Sequence, residues 1–480
     1  MPEKINNPLR VDEVSAARGL IGITFAPGKR GPSAYGGVHE RDLGADLDEV
    51  AQWGAAAVVT LIEEHEFHEL QIEQLGEEVR RRHMEWHHLP IVDVSVPDAF
   101  FEKKWPGNSA KLRGLLKRGN RVLIHCRGGI GRAGMISARL LVELGADSLD
   151  ALATVRKARH PNAAETKAQE MWVTAGKMVD DSLPSSDIQA TRDRAAGALL
   201  GLAVGDAVGA AIEFTRKPEF TLIEDMIGGG PHPLEPGQWT DDTAMALALA
   251  ESLKEDPALD AGDLMDRFVD WWLNGTYSCT GTCFDIGITT RGALDRYRRI
   301  GDPYAGSEDS RKSGNGALMR LSPVAIRHWR DLEMALDIAD RQTRTTHGSP
   351  QTIQASRLFT RLLVQAIEGH PLTDILTDPE AEEVDGGFRN QHRNAINGSG
   401  YVVKSLQAAL WAVNRTTDFR SAVLLAANLG DDADTTAAIA GQLAGAAYGA
   451  SGIPRDWLER LAWRGRIEVS ATGLFDASLG

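Results

Sequence analysis

The sequence predicts two joined domains of different class, an α/β domain followed by an all-α one. Three observations carry this. A chain of 480 residues exceeds what one ordinary hydrophobic core organises. In the first part, short apolar runs alternate with stretches of helical spacing. From about Asp193 the texture changes to Ala- and Gly-rich helical stretches, and sustained strand patterns become scarce. Domains are therefore assigned to 1–180 and 193–480. The linker is 181–192, because "DDSLPSSDIQATRD" is rich in Asp, Ser and Pro and has no apolar periodicity.

Each element has its own signal. "AAAVVTLIE" and "RVLIHC" are continuous apolar runs of the kind that makes buried strands, while "DLGADLDEVAQWG" and "AGMISARLLVELG" show helical spacing. In the second part "AAGALLGLAVGDAVGAAIEF", "DDTAMALALAESLK", "QASRLFTRLLVQAI", "SLQAALWAVN" and "TTAAIAGQLAGAAYGA" are helical. The small residues along them are those expected where helices pack closely.

Composition narrows the function classes. Hydrophobic content of 42% and charged content of 25% are those of a soluble globular protein. "MPEKINNPLRVDEV" has no apolar signal core, and no apolar run is judged long enough to span a bilayer, so no membrane partner is expected. Three cysteines cannot build a disulfide framework, which places the chain in a reducing cytoplasm. Cys279 and Cys283 are isolated from other thiol or histidine ligands. A net charge of −15 argues against a nucleic-acid partner, and it leaves room for a local basic pocket.

"RVLIHCRGGIGRAGMISARLLVELG" is strand, glycine-rich loop and helix in succession, an arrangement that aims backbone N–H groups at an anion. Gly129 to Gly134 spell a dinucleotide-type G-x-G-x-x-G. That reading needs a second parallel strand ending in an acidic residue. Instead "ADSLDALATVRKARH" continues as helix, and Cys126 at the strand end is left unexplained. The alternative is the Cys-x5-Arg of a cysteine phosphatase. Loop amides and a helix start favour the thiolate of Cys126 as nucleophile. Gly128, Gly129 and Gly131 permit the turns, and the planar fork of Arg132 suits two phosphate oxygens. Asp93 and Asp98 in "LPIVDVSVPD" are the candidates for the acid that protonates the leaving alcohol.

With "WGAAAVVTLIEEHE", "HHLPIVDVSVPD", "HCRGGIGR" and "NAAETKAQE", the stretch from about Gly22 to Val173 resembles the dual-specificity phosphatases, particularly the cyclin-dependent-kinase-associated type. The resemblance implies Cys126 as nucleophile, Arg132 as phosphate clamp and Asp93 as general acid, acting on a phosphorylated substrate. One departure is Ala133, where the family has Ser or Thr directly after the arginine. That hydroxyl assists the thiolate as leaving group, so its absence predicts slow turnover or a domain that binds phosphate more than it cleaves it.

The second half carries two matched acidic clusters. "GQWTDDTAMALALAESL" places Thr240, Asp241 and Asp242 at one helix start, and "NLGDDADTTAAIAGQLAG" places Asp432, Asp434 and Thr435 at another. Either alone is an ordinary cap. Together they make a hard, oxygen-only ligand set suited to Mg²⁺ or Mn²⁺.

These segments, with "LLGLAVGDAVGAAIEF", "CFDIGITTRGAL", "SGNGALMRLSPVA" and "TTHG", closely resemble the ADP-ribosylglycohydrolases of the dinitrogenase-reductase-activating type, from about Arg194 to Arg455. The resemblance implies an all-α fold with two Mg²⁺ or Mn²⁺ ions that removes ADP-ribose from a modified protein or other ADP-ribose derivative. By position it makes Thr240, Asp241, Asp242, Asp432, Asp434 and Thr435 the metal ligands. Glu213 falls at the acidic residue near the ribose, and Asp285 at a contact to the distal ribose or the acceptor. Gly314, Asn315 and Gly316 would carry the pyrophosphate by backbone and amide, with His347 lining the same cleft. Asp431 stands where a second glycine usually follows Gly430.

Other features are assigned no chemistry. His65 and His68 miss the H-E-x-x-H spacing, Trp271-Trp272 reads as core or pocket wall, and "RRHMEW" reads as a solvated helix face. The expected protein is thus a phosphatase-like α/β domain joined to a metal-dependent ADP-ribosyl hydrolase. The alternatives make the first domain a phosphate-reading recruitment module, or the second an ADP-ribose sensor.

Overall fold

A computed structural model of the chain describes residues 4–5, 8–32, 38–216, 220–380 and 391–480. It divides into two units, Met1–Ser182 with Arg389–His392, and Leu183–Phe388 with Arg393–Gly480.

The first unit is built on a five-stranded sheet. In chain order, β1 is Lys4–Ile5, β2 Asp12–Ala16, β3 Gly19–Phe25, β4 Arg30–Pro32, β5 Val38–Glu40, β6 Ala55–Thr60, β7 Glu85–His88 and β8 Arg121–Cys126. The main sheet runs β2-β3-β8-β6-β7, and β1-β5-β4 form a small second sheet. Only β2 and β3 pair antiparallel in the main sheet; its other pairs are parallel. Interior strand β6 is buried at every residue, as a parallel strand covered on both faces must be. Successive residues serve opposite faces: Val122 and Ile124 join one apolar cluster, Leu123 the other.

Two readings change here. "RRHMEW" is no single helix face: the helix Leu75–Arg81 ends, His83 takes a positive φ of 56°, and β7 begins at Glu85. Trp86 drives this, since its indole donates to Thr60 Oγ1 at 2.9 Å and a half-buried aromatic suits a strand. The tail of the presumed linker is also helical. The helix Ile188–Gly209 starts inside it because Asp187 accepts from the amides of Gln189 and Ala190.

The second unit is helical. Its helix Ile188–Gly209 packs backbone to backbone on Ala433–Tyr448: a Cβ on Gly201 would fall 2.2 Å from Gly441 O, and one on Gly205 2.1 Å from Ala437 O. With the adjoining 3₁₀ turn, this element spans Ile188–Ile212 with mean hydropathy 1.8, long and apolar enough by composition to cross a bilayer, contrary to expectation. Its apolar window is 94% buried inside the unit, so it is the core helix. Gly201→Ala is expected to destabilise this unit by about 1–3 kcal/mol through overpacking, read as a lowered denaturation midpoint. An unchanged midpoint would show that the helices can part cheaply.

Candidate functional site

The two units carry one candidate site each. In the first, parallel register sets Phe25 opposite Cys126 at the ends of β3 and β8. The loop after Cys126 turns through Gly129 at φ 71° into the helix Gly131–Glu143. Cys126 is 3% exposed, and its Sγ accepts from the Gly129 amide at 3.2 Å.

Arg132 is 1% exposed. Its Nη atoms donate to Glu66 Oε2 at 2.6 Å and Oε1 at 2.9 Å, and to Ile91 O at 3.0 Å. Asp93 Oδ1 lies 2.9 Å from the same guanidinium, half exposed. Burial alone would lower the Arg132 pKa, but Glu66 and the Cys126 sulfur hold it above its usual range. Burial likewise pushes Glu66 up, and the hydrogen bonds from Arg132 and from its own helix-start amide at Glu63 outweigh that and keep it low. Asp98, the other candidate acid, instead caps the helix Ala99–Lys117 by accepting from the Phe101 amide. Gly128 faces open space, whereas Gly131 packs under Glu165, whose Oε1 would lie 2.0 Å from a Cβ there. Ala133 is fully buried in the first turn.

In the second unit the two acidic clusters meet. Thr240 stands at the N-terminal boundary of the helix Asp241–Glu255 and Asp432 at that of Ala433–Tyr448, and neither side chain bonds its own helix amides. The helix starts meet directly: Thr240 Oγ1 lies 3.1 Å from Asp434 Oδ2, and Thr435 Oγ1 donates to Asp242 Oδ1 at 3.1 Å. Asp206, from the core helix, anchors one of them, accepting from the amides and hydroxyls of both Thr240 and Thr243 at 2.6–3.0 Å.

Ligand oxygens of Asp241, Asp285 and Asp434 lie within 4.8 Å of one another, and so do atoms of Glu213, His232 and Asp285. Among the described residues, Asp242 Oδ2, Asp434 Oδ1 and Glu213 Oε2 are buried with no hydrogen-bond partner. Buried oxygens are rarely left so, and a bound cation would give them partners. Oxygen donors of this kind fit Mg²⁺ or Mn²⁺. The strain is electrostatic. Without cations, burial and then mutual repulsion raise Asp241, Asp242 and Asp434 well above the ordinary carboxylate range, push Glu213 up to about 9 and, through burial, Asp206 to about 6.

Asp285 adopts φ 58°, a strained conformation for a non-glycine residue. It faces His232 Nε2 at 3.3 Å, with Glu213 3.9 Å from the same nitrogen. Asn315 donates to Asp432 Oδ2 at 2.8 Å and to Ser405 Oγ at 3.0 Å, so its amide is committed to the acidic cluster. The loop of Gly314 and Gly316 rests on the His347 ring. His347 is 2% exposed and sits beneath that loop instead of lining a cleft, and burial drives its pKa down to about 3. Thr346 Oγ1 accepts from buried Arg320 and shares a hydrogen bond with His347 Nδ1 at 2.8 Å, which completes the support.

Sequence reasoning missed Glu66, Glu165, Asp206 and His232. Asp206 left a signal: it is a lone carboxylate in "ALLGLAVGDAVGAA", where a buried charge needs a reason.

Comparison with known proteins supports both domains. Residues 187–479 match the family model described as ADP-ribosylglycohydrolase. Residues 32–188 match "Swiss Army Knife protein, DSP-PTPase phosphatase domain". Relatives include an ADP-ribosylarginine hydrolase Tri1 of Pseudomonas putida, 42% identical over 291 residues, covering 59% of this chain and 78% of that protein. An ADP-ribosyl-[dinitrogen reductase] glycohydrolase of Rhodospirillum rubrum is 37% identical over 289 residues, covering 58% and 93%. A solved ADP-ribosylglycohydrolase-related protein complex is 41% identical with TM-score 0.53, covering 61% of this chain and 100% of its own. The chain belongs to the ADP-ribosylglycohydrolase family, and its helical domain follows a DSP-PTPase phosphatase domain.

Proposed function

We propose that the helical domain hydrolyses the bond between ADP-ribose and an arginine side chain of a modified protein. The observation that carries this is the buried carboxylate cluster with three unpartnered oxygens. Relatives named as ADP-ribosylarginine hydrolases support the acceptor. Thr240, Asp241, Asp242, Asp432, Asp434 and Thr435 would hold two Mg²⁺ or Mn²⁺ ions. When bound, such ions supply Lewis acidity to the ribose diol and to a water. The chain's own groups do the rest. The acidic wall stabilises positive charge that develops at the ribose as the glycosidic bond breaks. Asp285 offers a carboxylate to the guanidinium. Glu213 handles the proton of the attacking water. Glu213→Gln is expected to lower kcat by about 10²-fold with KM little changed; a change confined to KM would assign Glu213 to binding alone.

The first domain is proposed to remove phosphate from a phosphomonoester. Cys126 Sγ attacks phosphorus, Arg132 holds two of the remaining oxygens, and Asp93 gives its proton to the departing alcohol oxygen. Water then cleaves the S–P bond and releases phosphate and the thiolate. Ala133 favours a second reading, phosphate recognition without rapid turnover. Ala133→Thr is therefore expected to raise steady-state turnover several-fold, to about the level that a positioned hydrogen bond provides. An unchanged rate in a burst-and-steady-state experiment would remove the hydroxyl from the account. Three free thiols suit a reducing compartment, and we place the chain in the cytoplasm.

A further inference from the structure

Lys29 follows the strand that runs beside the Cys126 loop and has no carboxylate counter-ion among the described residues. The segment after Phe25 leaves the sheet next to the strand that ends in Cys126, and the Ala26 amide reaches Arg127 O at 3.5 Å. The segment is fixed in place: the Gly28 amide donates to Asp46 Oδ2 at 2.7 Å. Asp46 is also taken up bidentately by Arg41, at 2.7 and 2.6 Å. Lys29 Nζ lies 4.4 Å from the centroid of the Phe25 ring, and the Arg41 guanidinium 5.1 Å from the same ring.

The cations gathered here differ in one respect. Arg41 has Asp46, Arg127 has Glu69, and Arg159 has Asp12 at 2.7 Å while also donating to Gly129 O and Gly128 O. Lys29 is half-buried and has no carboxylate partner among the described residues. Burial, then repulsion from Arg41, brings its pKa down to about 8, with Arg159 and Arg127 adding to the effect and the Cys126 sulfur opposing it. A chain of net charge −15 has thus assembled four cations near one loop, and one of them has no carboxylate partner among the described residues. Such an arrangement costs stability in the free protein and suits an anion that arrives with the substrate.

The loop amides and Arg132 already account for the phosphate attacked by Cys126. We infer that Lys29 forms a second anion subsite, and that the substrate of this domain carries a second phosphate next to the one removed. This inference rests on the phosphatase reading of the Cys126 loop. The substrate class is a small bisphosphate or diphosphate, in preference to a phosphoprotein with a single phosphate.

Protection of Cys126 from iodoacetamide tests this on the full chain, read at that residue by peptide mass spectrometry. Orthophosphate and the non-hydrolysable methylenediphosphonate serve as probes. The diphosphonate is expected to protect at about tenfold lower concentration than orthophosphate, the order of one charge-assisted contact. Lys29→Gln should erase that advantage and Lys29→Arg should keep it. Adenosine 3′,5′-bisphosphate and ADP then distinguish separate phosphates from a diphosphate linkage, either one supporting the subsite by protecting at lower concentration than orthophosphate. Equal protection by the two probes in the unsubstituted chain would overturn the subsite while leaving the phosphatase reading intact. So would a phosphotyrosine peptide that protects better than the diphosphonate. If neither probe protects Cys126, the phosphatase reading fails and takes the subsite with it.

Discussion

Asp241→Ala is expected to lower ADP-ribose release by about 10³-fold, the scale of losing preorganised charge stabilisation at a reacting centre. The same change should make the metal-free chain more stable. Asp241 is 7% exposed, Asp242 fully buried and Asp434 1% exposed, and all three are raised by burial and mutual repulsion. A carboxyl whose folded pKa is raised binds more protons folded than unfolded, so stability falls as pH rises. Its contribution is complete below the unfolded value near 4 and is lost as pH climbs through the folded value. With Asp206 near 6 and Glu213 near 9, the chelated chain should lose stability steadily between about pH 5 and pH 9. Added Mn²⁺ should restore most of it at pH 8. A melting midpoint in chelator that rises over this range would contradict the account, as would Asp241→Ala destabilising the metal-free chain.

Arg132→Ala is expected to have the second-largest effect, and on two properties together. Phosphate binding at the loop should disappear, because the guanidinium fork is the charged part of that site. The domain should also lose about 3–5 kcal/mol of stability, the cost of stranding one member of a buried ion pair. Glu66, 2% exposed, would be left with the Glu63 amide and the more distant charge of Arg127 to offset its burial. Arg132→Ala combined with Glu66→Ala should recover much of that stability and none of the phosphate binding. If the single variant melts like the parent, Glu66 and Arg132 are not coupled as the geometry indicates.

What could be read from the chain follows from how local each signal is. The Cys126 loop was legible because strand, turn and helix are contiguous, so the proposed nucleophile and clamp lie in one stretch. The acidic clusters were legible separately as helix starts, and it was their matched composition that brought Thr240 and Asp434 together across the chain. Glu66 was not legible. In "EEHEFHEL" it looks like one more solvated carboxylate, and only the fold sets it under Arg132. His232 lies in a Gly- and Pro-rich loop where no periodicity exists to place it. Asn315 belongs to the expected loop and His347 to the segment expected beside it, yet one is spent on Asp432 and the other lies beneath the backbone; side-chain direction in a turn is set by tertiary packing. The β2–β3 hairpin escaped notice because its Gly-rich alternation is weak, and β7 because its residues are histidine and tryptophan. The paired glycines of the core helix are the opposite case. Gly197, Gly201, Gly205 and Gly209 recur every fourth residue, the spacing of one helix face, and that face is the one pressed against Ala433–Tyr448.

The measurement closest to the central claim is release of free ADP-ribose by the full chain from an arginine-ADP-ribosylated protein, beside the serine-modified equivalent. Each would be run in Mg²⁺, in Mn²⁺ and in chelator, with Asp241→Ala alongside. The account predicts release from the arginine-modified protein that needs a cation and is lost in Asp241→Ala. Release that persists undiminished in chelator, or that is unaffected by Asp241→Ala, would contradict it.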